Sequence, residues 1–414
     1  MPSRRTNNRR PISPAIKKFA VCVVGGAGHV GAPLAMVMAA KGLPTLIYDI
    51  NSQAMKQLAL ARLPFCEEGG EALLKQVLAD GLLSLTENVA ELKNIPYIVL
   101  TVGTPIDEFH NPKMRSITDC IDAILPYISD DQTIVLRSTV FPGVTNFLQR
   151  YFESRGKKPR VAFCPERVVQ GQAIKEISSL PQIVSGTTLQ AEESAARLFS
   201  KIAPKIVRML PMEAEFAKLF CNAYRYIQFA AANQFYMIAE SAGMSYTRIL
   251  EGLKEDYPRM RDLPRPGFAA GPCLMKDTMQ LFAFSNDKFM LGHIAMTTNE
   301  GLPNFLVESL KARYDLSSVR VGILGMAFKA DIDDTRESLS YKLSKILRFH
   351  GAKVICSDEF VRDESFVTKE ELVASCDIAI VAVPHSAYRE LHFPDGVDVV
   401  DLWGITPKRK SAVA

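Results

Sequence analysis

Apolar residues run unbroken through "FAVCVV" and stop at "GGAGHVG". They resume in "LAMVMAAKG" at helical spacing, and a second short run, "TLIYDI", follows. A short apolar run bounded by turn residues predicts a buried strand, so residues 19–50 predict a strand–helix–strand unit of a doubly wound sheet. "YIVLTVGTPID", "TIVLRSTVFPG" and "RVAFCPERV" add further strands, each ending in polar or turn residues. Their alternation with helical segments predicts a parallel sheet.

From Met212 the pattern changes. "EAEFAKLFCNAYRYIQFAAANQFYMIAESAGM" contains no proline and ends at a glycine, which predicts one long helix or two in line. It is apolar on more than one side, so it is expected to be buried between domains or subunits. A second strand–glycine–helix pattern opens at "VRVGILGMAF", followed by "AKVICSD", "CDIAIVAVP" and "VDVVDLWG". The predicted fold class is therefore α/β, with two Rossmann-like doubly wound domains joined by a long central helical region. The expected divisions are a basic tail at 1–18, the first domain at 19–205, the central region at 206–314 and the second domain at 315–414. The polar segment Asp315–Ser318 marks the last division.

Composition adds little to this picture except at the N-terminus. The chain is 48% hydrophobic and 23% charged, an ordinary globular balance. Residues 1–18 hold four Arg, two Lys and no acid, so a net charge of +4 leaves 4 − 6 = −2 for the rest. That body has no basic field to attract nucleic acid. Pro11 and Pro14 interrupt any amphipathic helix, so the tail reads as a disordered extension rather than a transit peptide. No apolar stretch has membrane-spanning length. The eight cysteines form no CxxC pair and no spacing that would hold a metal, which predicts a reduced cytoplasmic protein.

Several residues carry candidate chemistry. Gly26, Gly28 and Gly31 match GxGxxG after a strand and before a helix, with Asp49 ending the next strand. Gly26 is expected to permit the tight turn, Gly28 the approach of a pyrophosphate and Gly31 close helix packing. Asp49 would accept from an adenosine ribose, and no Arg follows it closely to balance a 2′-phosphate, so NAD is favoured over NADP. His29, in the same loop, is expected to pack by the cofactor rather than act as a catalytic base, and Val30 beside it is also expected to contact the cofactor. Lys218 and Asn222, four apart, share a helix face and could stabilise an oxyanion, or be a solvated lysine and a surface asparagine. Glu166, just past a strand end, could be a general base or pair with Arg167. Cys273 follows Gly271-Pro272 where a helix starts. The first helical turn and Lys276 would favour a thiolate there; otherwise Cys273 is a small buried hydrophobe. Asp277 falls on its face at i+4.

In this order, "GGAGHVG", "TPID", "STVFPG", "PERVVQG", "EFAKLFCNAY", "GFAAGPCLMKDT" and "GMAFKADIDDTRES" resemble the nucleotide-sugar 6-dehydrogenase family over residues 19–405. The resemblance implies an NAD-binding first domain, a dimerising helical centre and a second domain contributing to a UDP-sugar site. It further implies four-electron oxidation of a C6 alcohol to a carboxylate through a cysteine thiohemiacetal and thioester. Carried over by position, Cys273 is the nucleophile and Lys218 and Asn222 the oxyanion pair. Asp277 orients water, Glu166 assists hydrolysis and Thr139 lies near that water. Thr104 and Arg336 contact the cofactor, and Lys329 binds substrate. Arg259 corresponds to an arginine that reaches a neighbouring subunit's substrate, although its spacing to Cys273 differs. Phe268, Ala269 and Ala270 replace the usual glycines of the sugar loop, which leaves glucose and N-acetylhexosamine both open. The competing classes are a two-electron β-hydroxyacid dehydrogenase and a non-catalytic nucleotide-sugar-binding protein.

Overall fold

The computed structural model describes residues 18–107 and 112–407; the expected disorder of the tail lies, but for Lys18, outside these residues. The first sheet holds β1 (Val21–Val24), β2 (Thr45–Tyr48), β3 (Leu83–Thr86), β4 (Tyr97–Leu100), β5 (Thr133–Leu136), β6 (Arg160–Phe163), β7 (Gln182–Gly186) and β8 (Ile206–Arg208). Their order is β3-β2-β1-β4-β5-β6-β7-β8. Along β1, Val21 and Val23 enter one core and Cys22 and Val24 the other, as the period of two in a strand requires. Both faces are covered, which explains why β1 reads as a continuous apolar run.

Two features depart from the sequence reading. β7 pairs antiparallel with β6, with Phe163 opposite Ser185. It lies beyond "RVAFCPERV", the last strand read from the sequence in the first domain. The chain leaving β6 never crosses back: Gln182, the first residue of β7, donates through Nε2 to Pro165 O at 3.2 Å, at the end where β6 finished. β8 pairs with β7, so the first sheet runs past position 205, where the sequence placed the division.

The central region is one uninterrupted 31-residue helix, Pro211–Ser241, packed against helices Leu274–Phe284 and Met290–Lys311. The second sheet, β9 (Arg320–Leu324), β10 (Lys353–Ser357), β11 (Ile378–Val381) and β12 (Asp398–Asp401), is all parallel in the order β10-β9-β11-β12. The expected α/β architecture with two Rossmann-like sheets and central helices is the one observed. No helix among the described residues is long and apolar enough to cross a membrane.

Candidate active site

The glycine loop joins β1 to helix Gly31–Ala40. The left-handed residue is Gly25, φ +74°, one position before the glycine expected to make the turn. Gly26 is required for a different reason: a Cβ there would lie 2.7 Å from Val23 O and 2.9 Å from Ile47. A Cβ on Gly31 would lie 2.6 Å from Gly26 Cα, so the helix packs on the loop as expected. Gly28 is exposed, and a Cβ on it would meet nothing closer than Gly25 O at 3.9 Å. The helix starts after Val30 without a side-chain cap, leaving its amide end to an anion. Asp49 accepts from Ala27 N and Asn51 N, each at 2.9 Å, which fixes its carboxylate beside the loop. This cradle fits NAD: an open glycine surface, an uncapped helix end and a fixed carboxylate for a ribose. Gly28→Ala is expected to leave thermal stability unchanged yet weaken NAD binding at least about tenfold, or about 1.4 kcal/mol, in calorimetric titration. Gly31→Ala is expected to destabilise the fold itself.

Cys273 is the N-cap of helix Leu274–Phe284, not a residue of its first turn, and Pro272 lies outside the helix. The approach is tightly built. Gly271 has φ +98°, and a Cβ there would lie 2.5 Å from the Phe328 ring. Gly267 has φ +154°, with the Trp403 ring 2.2 Å from its would-be Cβ. Asn233 of the long helix, fully buried, donates to Gly267 O at 3.0 Å and accepts from Gly267 N at 2.8 Å. The loop entering Cys273 is thus clamped between the central helix and the second domain.

Around Cys273 the chain gathers most of the expected residues. Asp277 donates its N–H to Cys273 O at 2.9 Å and is fully buried. Its Oδ2 accepts from Asn222 Nδ2 at 2.6 Å; its Oδ1 accepts no hydrogen bond and lies 3.6 Å from Lys276 Nζ. Lys276 also donates to Thr104 O at 3.2 Å, and Thr104 Oγ1 donates to Thr139 O at 2.5 Å. One chain of contacts therefore runs from the cysteine helix to the strand ends of the first domain. Cys273 is exposed, so it is not the small buried hydrophobe of the alternative reading. Neighbouring protein atoms and the Asp277 charge push its thiol up, while Lys276, Lys218 and Arg336 pull it down. Lys276 acts in the expected direction, but the net shift of the thiol is upward.

Glu166 is buried, but its ion-pair partner is Arg137 and not the Arg167 guanidinium. Arg137 Nη2 donates to Glu166 Oε2 at 2.5 Å, while Oε1 accepts from Arg167 N and Val168 N at 2.8 and 3.0 Å. The Arg167 guanidinium turns away to Pro181 O. Arg137, 1% exposed, also donates to Cys164 O, Pro165 O and Gln182 Oε1. A lone arginine ending a strand offered no signal for this role.

The second domain reaches the cofactor loop through His29. Gln170 Nε2 lies 3.1 Å from His29 Nδ1 and donates to Asp334 Oδ2 at 3.1 Å. His29 also stacks on Phe65, with centroids 4.3 Å apart. Asp334 holds Arg336 by Nε and Nη2, and Lys329 Nζ donates to Gln170 O at 2.8 Å. Arg259 is exposed, and the Cys273 cluster of its own chain does not include it. Among the described residues, no group of His, Cys, Asp and Glu could hold a metal ion.

The chain matches one family in three consecutive parts: the NAD binding domain over 19–203, the central domain over 212–300 and the UDP binding domain over 322–407 of the UDP-glucose/GDP-mannose dehydrogenases. A UDP-N-acetyl-D-mannosamine dehydrogenase of Methanocaldococcus jannaschii is 29% identical, over 95% of this chain and 90% of its own. The structure of a UDP-D-ManNAc dehydrogenase from Pyrococcus horikoshii superposes with a TM-score of 0.87 at 28% identity, covering 95% of this chain and 97% of that one. A UDP-glucose dehydrogenase from Pyrobaculum islandicum superposes at 0.86 with 26% identity, covering 95% and 96%. A glycine cradle for NAD, a cysteine at the head of a central helix and a second sheet for the nucleotide sugar thus stand in one order, and the chain belongs to the UDP-glucose/GDP-mannose dehydrogenase family.

Proposed function

We propose that this NAD-dependent UDP-sugar dehydrogenase oxidises C6 of a UDP-N-acetylhexosamine, UDP-N-acetylmannosamine first, to the carboxylate in two steps. The relatives named for that sugar support the choice of substrate. The cluster of Cys273 with Asp277, Asn222 and the charges of Lys218, Lys276 and Arg336 carries the chemistry. Bound NAD supplies the hydride acceptor, used twice per sugar. After the first oxidation the Cys273 thiolate adds to the C6 aldehyde, forming an S–C bond and an alkoxide. Lys218 and the second N–H of Asn222 stabilise that charge. Once this adduct is oxidised to a thioester, water oriented by Asp277 attacks the carbonyl, with Glu166 assisting. The C–S bond breaks, and Cys273 leaves as thiolate. The balance is one alcohol, one water and two NAD+ giving one carboxylate, two NADH and three protons. A two-electron enzyme would need neither the cysteine nor the second sheet.

Counting NADH per sugar with UDP-N-acetylmannosamine, UDP-N-acetylglucosamine and UDP-glucose tests this. Two per molecule with the first is the expected result; two only with UDP-glucose overturns the sugar, and one overturns the second oxidation.

The working unit in this reading is a homodimer. Phe220, Tyr224, Phe235 and Ile238 are exposed along one stripe of the long helix at helical spacing, and Leu291 and Ile294 are exposed on the helix Met290–Lys311 packed against it. The partner would bring its Arg259 to the substrate. A solution mass twice the chain's 45.8 kDa is expected by light scattering. The eight unpaired cysteines suit a cytoplasmic setting.

A further inference from the structure

The second sheet contains a counterpart of Asp49. Asp358 follows β10 as Asp49 follows β2, and each accepts backbone N–H groups from the turn after the first strand of its sheet. For Asp49 the donor is Ala27; for Asp358 they are Met326 and Ala327, at 2.6 and 2.9 Å. The likeness ends there. The Asp358 side chain is fully buried, and its Oδ1 also accepts from Phe360 N and Val361 N at 2.8 and 2.9 Å. His385, also fully buried, lies with Nε2 3.1 Å from Oδ2. The position that the first domain leaves open to a ribose is sealed here by an imidazole. Burial would push the Asp358 carboxyl up, but His385 and these N–H groups outweigh it and hold it well below the usual carboxylate range.

His385 is oriented from both sides. Its Nδ1 accepts the N–H of Asp331 at 2.9 Å, so the ring proton is assigned to Nε2, facing Asp358. Asp331 itself has φ +58°, a left-handed conformation uncommon for a residue with a side chain. Its Oδ1 accepts from Ser386 N and Oγ at 2.8 and 3.1 Å. One dyad therefore grips the segment 326–336 at its entry, through Asp358, and at its strained middle, through His385. Lys329 lies between those grips.

We propose that His385 and Asp358 are a positioning pair that holds the 326–336 segment, and with it Lys329, in the shape that receives the nucleotide sugar. The inference rests on the reading of this segment as part of the UDP-sugar site. An acceptor at the place of Nδ1 is its working part, since that atom fixes Asp331 beside Lys329.

The test uses the full chain with three substitutions. His385→Asn keeps an oxygen near the place of Nδ1, His385→Gln keeps only an N–H near that of Nε2, and His385→Leu keeps neither. Binding of UDP is read by calorimetry, with NAD binding and thermal midpoint as controls. UDP affinity near that of the unsubstituted protein for Asn and at least about tenfold weaker for Gln and Leu, with NAD unchanged, is the expected pattern. Losses that follow the thermal midpoint equally in all three, or UDP binding unchanged in Leu, overturn the dyad's role. An unsubstituted protein that binds NAD but no UDP overturns the reading of the segment, and the dyad's role with it.

Discussion

Cys273→Ala is expected to lower kcat by at least about 10⁴, or about 5–6 kcal/mol of barrier, while NAD binds as before. The size follows from what is lost. Without the sulfur there is no adduct to oxidise, so the aldehyde stands unless water hydrates it. A single turnover should then yield at most one NADH per site, with aldehyde trapped by a hydrazine. Two NADH from this variant would remove Cys273 from the mechanism. The reactive form is the thiolate, and crowding and Asp277 raise the thiol from its ordinary value. Below that raised value the sulfur is protonated and inert, so the rate should climb with pH through the neutral and mildly alkaline range. Removing a cation, as in Lys276→Met, should move the rise to higher pH; Asp277→Asn should move it lower. The pH–rate profile of the adduct-forming step reads both signs.

Arg137→Met is expected to cost about 3–5 kcal/mol in denaturant unfolding, the largest stability effect at the site. The substitution leaves Glu166 buried without its cation and leaves Gln182 Oε1, Cys164 O and Pro165 O each short of the Arg137 donor. Adding Glu166→Gln should recover part of the loss, because the uncompensated charge disappears. A double-mutant cycle measures that coupling, and independent, additive losses would show that Arg137 serves the three carbonyl groups and not Glu166.

Five strands of the first sheet, the four of the second, the glycine loop and the place of Asp49 were legible because each depends on neighbours in sequence, whereas β3, β7 and β8 were not read. Apolar runs declare strands buried on both faces, and three spaced glycines before a helix declare a tight approach. Even so, the pattern could not say which glycine turns left-handed. "GGAG" offers Gly25 and Gly26 alike, and only the distance from Gly26 to Ile47 decides. Arg137 escaped notice because its partner lies 29 residues away, just past the end of the next strand. His385 escaped for the same reason, being joined to Asp358 across 27 residues and to Asp331 across 54. The direction of β7 was hidden too, since nothing local to "PQIVSG" records at which end of the sheet the chain was left. The thiol of Cys273 shows the limit on the chemical side: the charges near it were readable, but the packing that pushes the thiol the other way was not.

The clamp on the sugar loop has an optical consequence. Trp403 is the chain's single tryptophan, its ring lies over Gly267, and its Nε1 donates to Ala382 O at 2.9 Å. Its emission therefore arises from one place, the seam where the second domain meets the loop leading to Cys273. Any parting of that seam alters the polarity around one indole and no other, so the protein carries its own unlabelled probe of whether the nucleotide-sugar site is assembled.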